Sequence, residues 1–81
     1  MSDIYGSRTA DTSGENTAEC PGFFVIVGDS AATIEAEIIS GDGAIIDGDS
    51  ARVKMAIVKQ GAVVRLGGSG KRLAVFLKLR S

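Results

Sequence analysis

"GFFVIVGDSAATIEAEIIS", residues 22–40, decides the fold. From Phe23 to Val27 the stretch is aromatic or β-branched on both faces and is closed by Gly28, which is the pattern of a central strand rather than of a helix. Its second half alternates. From Ala32 to Ile39, Ile34, Ala36 and Ile38 fall on one side of an extended chain and Thr33, Glu35 and Glu37 on the other. One face therefore meets a core and the other meets solvent or a partner.

The same texture continues downstream, with short β-branched runs split by glycines and no 3.6-residue apolar stripe long enough for a helix. Ala44–Ile46 is an apolar island between "SGDG" and "DGDS". From Arg52 to Lys59, Val53, Met55 and Ile57 alternate with Arg52 and Lys54; Gly61 interrupts and Ala62–Leu66 continues. In the last run Leu73, Val75, Leu77 and Leu79 share one face, with Arg72, Ala74, Phe76, Lys78 and Arg80 on the other. Strands of this size joined by turns predict an all-β fold, a small antiparallel β-sandwich or barrel, over residues 22–81.

Upstream of Pro21 the composition shifts. Residues 1–20 hold Ser, Thr, Gly, Asp, Glu and Asn, with Ile4 and Tyr5 as the large apolar groups, too little to offset the entropy of ordering them. Residues 1–21 therefore read as an extended N-terminal arm that needs something to hold it, with Ile4 and Tyr5 as its anchors. The same residues have neither the basic start nor the apolar run of a signal peptide, and an intracellular origin is expected.

A chain of 81 residues makes one domain at most and buries a small share of its surface. Disulfides and zinc are the usual reinforcements, but there is a single cysteine, Cys20, and no histidine. Oligomerisation is what remains. No apolar run approaches the roughly 18 residues of a membrane-spanning helix, so no membrane partner is expected.

The net charge of -1 conceals an asymmetry: all ten acids lie between Asp3 and Asp49, and eight of the nine bases lie between Arg52 and Arg80. Acidic and basic strands can neutralise each other across a sheet, or unlike faces can meet between neighbouring molecules.

Three motifs invite a chemical reading. "RLGGSGKRLAV", residues 65–75, has a Gly-Lys in a glycine-rich turn, but a phosphate-binding P-loop would need Gly where Arg65 stands, Ser or Thr where Arg72 stands, and a following helix. It reads as a hairpin tip. "SGDGAIIDGDS" places Asp42, Asp47 and Asp49 among glycines, yet an EF-hand opening at Asp47 would close on Val58, so strand-joining turns explain it better and no metal is expected. Glu35 and Glu37 share a strand face, and nothing around them supplies an apolar pocket to separate their pKa values.

Without histidine the commonest general base is missing, and Cys20 lacks neighbouring bases to favour a thiolate. Catalytic residues and cofactors are therefore not expected. Single-strand nucleic-acid binding needs aromatic platforms; here the aromatics are Tyr5, Phe23, Phe24 and Phe76, which argues against nucleic acid as a partner.

With the strands placed, residues 22–70 resemble small structural proteins of tailed bacteriophages. The resemblance lies in Gly22, Phe23, Phe24, Val25 and Ile26, in "TIEAEIISGDG", and in Ile57, Gly61, Val63 and Val64. It implies a virion component such as a capsid decoration or cement protein, arranged as homotrimers on the shell, with the major capsid protein or another virion protein as partner. On that reading Ile4, Tyr5 and Arg8 hold the arm against the shell or an adjacent copy, and Arg52, Lys54, Lys78 and Arg80 meet an acidic surface. A tail, fibre or other oligomeric β-rich assembly or adhesion module is the alternative.

Overall fold

The computed structural model describes residues 3–48 and 52–80. Its strands are β1 (Asp3–Ala10), β2 (Gly14–Thr17), β3 (Gly22–Gly28), β4 (Thr33–Ser40), β5 (Gly43–Asp47), β6 (Val53–Val58), β7 (Val63–Ser69) and β8 (Arg72–Arg80). They form two antiparallel sheets, a five-stranded one in the order β1-β8-β3-β6-β5 and a three-stranded one in the order β2-β7-β4. The architecture is a small β-sandwich. The pairs β1 with β8, β2 with β7 and β3 with β6 are those of one long hairpin folded over on itself, the wrap of a jelly roll, with β5 moved onto the edge beside β6.

β3 is the middle strand of its sheet, as its apolar run requires, with β8 on one side and β6 on the other. Phe24, Ile26, Ala56, Val58, Ala74 and Phe76 point from this sheet into the interior and meet Ile34, Val64 and Leu66 from the other. Phe24 and Phe76 are cross-strand partners whose rings tilt at 34° with centroids 4.5 Å apart. Ala56 and Ala74, partners of Phe24 and Ile26, leave the volume that these larger side chains fill.

The N-terminal segment is extended, but it does not stand apart from a domain beginning at residue 22. Residues 3–10 and 14–17 contribute one strand to each sheet. Too poor in apolar groups to fold alone, this segment is recruited by backbone pairing to β8 and β7. At the corner between its two strands the buried Asn16 closes a two-bond ring with the backbone of Asp11, its Oδ1 accepting the N–H and its Nδ2 donating to the carbonyl, each at 3.0 Å. Ile4 and Tyr5 therefore lie on a sheet edge of their own chain.

The glycine turn after Leu66 also differs from its reading. β7 runs to Ser69 and β8 starts at Arg72 in the other sheet, so the chain crosses between layers at Gly70 and Lys71 instead of closing a hairpin. Gly68 (φ 123°) and Gly70 (φ 83°) supply the backbone conformations, and a Cβ on Gly68 would collide with the Thr33 carbonyl. The Arg72 guanidinium is spent on the opposite loop, donating to the Thr12 carbonyl at 2.9 Å and to Ser13 Oγ at 3.2 Å.

Candidate functional site

Cross-strand partners share a face of a sheet, so the registers show what the five-stranded sheet presents outward. One row across it runs Thr9, Val75, Val25, Met55, Ile46; the next runs Ser7, Leu77, Phe23, Ile57, Ala44. Leu73, Val27 and Val53 extend the surface at one end, and Leu79 with Ile4 extends it at the other. Not one of these side chains is charged. The polar ones, Ser7 and Thr9, lie on the β1 edge.

This outer surface is where the alternation of β6 and β8 leads. The rows Val53, Met55, Ile57 and Leu73, Val75, Leu77, Leu79 face away from the core, while Ala56, Val58, Ala74 and Phe76 face into it. Leu73 is 55 % exposed, Ile46 48 % and Ile57 39 %. A monomeric soluble protein seldom leaves a contiguous apolar patch of this kind in water.

The opposite outer face, on the three-stranded sheet, is of ordinary solvent type. Arg65 stands between Glu15 and Glu37 in register and pairs with both, at 3.3 Å each. A shallow depression of about 310 Å³ there is lined by Glu35, Ala36, Glu37, Arg65, Leu66 and Gly67. It holds two exposed carboxylates and one guanidinium, with no nucleophile among its lining residues. Chemically it is a solvated ion-pair surface.

Folding mixes the two charge-segregated halves of the sequence. Besides Arg65, Lys54 pairs with Asp47 at 3.7 Å, Lys59 with Asp42 at 4.0 Å and Lys78 with Glu19 at 3.4 Å. Asp42 and Asp47 thus serve as ion-pair partners at opposite ends of β5, and Asp49, the third member of that acidic turn, lies outside the described residues.

Of the residues singled out for contact, Ile4, Tyr5, Lys78 and Arg80 come together at one end of the β1–β8 pair, with Arg8 further along it. Arg80 lies over the Tyr5 ring at 5.0 Å, and the Tyr5 hydroxyl donates to Cys20 Sγ at 3.5 Å, which holds the phenol above its ordinary pKa. Arg8 Nε donates to both carboxylate oxygens of Glu19, and its guanidinium sits 4.9 Å from the centre of the Phe76 ring. The Arg8 hydrogen bonds, with the Lys78 ammonium nearby, lower the Glu19 carboxyl to a pKa of about 2. Arg52 and Lys54 lie at the far end of the sheet, near the Val27 end of β3.

The sequence did not single out the uncharged face as a site. Its signal was present in the apolar rows of β6 and β8 together with a β3 that is apolar on both sides. Recognising it requires knowing that Phe76 and Ala74, rather than the leucines, fill the core. No family model matches this sequence, and no curated protein or solved structure matches it either.

Proposed function

We propose that this protein is a non-enzymatic structural component of a tailed-phage particle, which binds and stabilises the capsid shell as a decoration or cement protein. The observation that carries the reading is the outer face of the five-stranded sheet, a broad surface without charge whose chemistry is that of a contact and not of a reaction. The resemblance of residues 22–70 supplies the virion setting. The jelly-roll wrap is compatible with it. Absence of histidine from the sequence and the solvated state of Glu35 and Glu37 favour binding over catalysis.

The test is to purify the particles of the phage whose genome encodes this chain and quantify it by mass spectrometry against the major capsid protein. A fixed ratio to the capsid protein, with heads of a deletion strain losing heat resistance, is the expected result. Copies that track tail proteins instead would favour a tail or fibre module, and particles without the chain would overturn the virion reading.

A further inference from the structure

The uncharged face has dimensions that can be compared with those of known interfaces. Five strands at about 4.8 Å spacing and about six residue steps along β8 give a surface of roughly 24 by 20 Å. Two such faces in contact would cover about 1,000 Å² in total, the size at which a contact between proteins reaches the range of biological interfaces.

Its chemistry narrows the occupant. A surface with no side-chain donors or acceptors beyond Ser7 and Thr9 at one edge leaves any polar partner group desolvated and unpaired. It therefore matches another apolar surface. In a two-fold contact each residue near the axis faces its own counterpart, so a charged residue there would meet its like. This face carries none, and that suits self-contact. Its middle strand, β3, places Val25 near the centre, with Met55 and Val75 as its cross-strand neighbours.

We propose that the partner of this face is a second copy of the same chain, packed sheet to sheet across a two-fold axis passing near Val25. The two inner sheets would lie about 10 Å apart with their strands within about 30° of each other. This rests on the reading of that face as the working contact surface, and names its partner. A face packed on its own copy closes at two chains, so this dimer replaces the trimer implied by the resemblance as the basic unit. On a shell, copies seated on neighbouring capsid subunits would clasp each other through it.

The experiment is sedimentation equilibrium of the full chain over a dilution series, with three variants whose folding is checked by circular dichroism. Val25→Glu puts a charge at the centre of the contact, and Leu73→Lys puts one at an already exposed position of the same face. Glu35→Lys alters the opposite sheet. The expected result is a wild-type dimer weakened about a hundredfold or more by each face variant and unchanged by Glu35→Lys. Should Val25→Glu fail to fold, Leu73→Lys decides alone. A wild-type monomer at every concentration, a trimer, or a dimer indifferent to the face variants would each overturn the proposal. A monomer in solution that is nonetheless found on particles would overturn the pairing and leave the capsid role standing; a dimer absent from particles would do the reverse.

Discussion

Arg8 and Glu19 clasp each other through charge-assisted hydrogen bonds, Nε to both carboxylate oxygens at 3.0 and 2.8 Å and Nη2 to Oε1 at 2.7 Å. The pair ties β1 to the segment that leads into β3, and Nη2 also holds the Thr17 carbonyl at 3.0 Å at the end of β2. One guanidinium thus fastens the N-terminal strand of each sheet, with its Cζ 4.9 Å from the centre of the Phe76 ring.

The Glu19 carboxyl has a folded-state pKa of about 2, below its value in an unfolded chain, so its stabilisation is present above about pH 4.5 and is lost as pH falls through 2. Acid unfolding followed by fluorescence or circular dichroism should show this slope in the wild type. Glu19→Gln should flatten it. An unchanged acid limb would mean that solvent screening at this partly exposed pair cancels the linkage.

Phe76→Ala should destabilise the fold by about 3–5 kcal/mol, because it empties a fully buried site against Phe24. Leu73→Ser, three residues away on the opposite side of β8, should cost the monomer less than about 1 kcal/mol. Urea midpoints of the two variants test which face of β8 is the core, and equal losses would contradict the face assignment.

The alternate amides of β1 that face β8 should be protected from hydrogen exchange, and cleavage between residues 3 and 10 by a protease should be slow, since that segment is paired with β8 along most of its length. Rapid cutting of the intact, folded protein there would return it to the status of an arm. Hydrogen exchange measured by mass spectrometry reads this directly.

Gly68→Ala should cost about 2 kcal/mol or more, since it combines a positive φ with a collision against the Thr33 carbonyl. Gly61→Asn, at a φ of 88° with open space where the side chain would go, should cost less than about 1 kcal/mol. Thermal melts of the two variants separate collision from backbone preference.

The strands from β3 to β8 were legible because their side chains announce them: an unbroken apolar run in β3, strict alternation in β4, and glycine-bounded islands afterwards. β1 and β2 were not, because their burial comes from partners far along the chain. Arg8 and Ala10 turn toward the core on β1 only because β8 lies beside them, and the inward Asn16 of β2 is satisfied by Asp11. Nothing local in "SDIYGSRTADTSGENTAEC" carries that information. The corner at Gly70 and Lys71 failed for a related reason: a glycine turn looks the same whether the next strand returns to its own sheet or crosses to the other. The candidate site was half legible, since its apolar rows could be read but the direction they face depends on which side of β8 Phe76 occupies.

The placement of β8 between β1 and β3 also sets the order in which the molecule can be completed during synthesis. Until residues 72–80 have left the ribosome, β1 has no neighbour in its sheet, one edge of β3 is open, and Phe24 lacks the ring it packs against. The nascent chain must carry an unfinished interior until β8 emerges. β8 then closes both gaps at once, joining β1 to the middle of the fold.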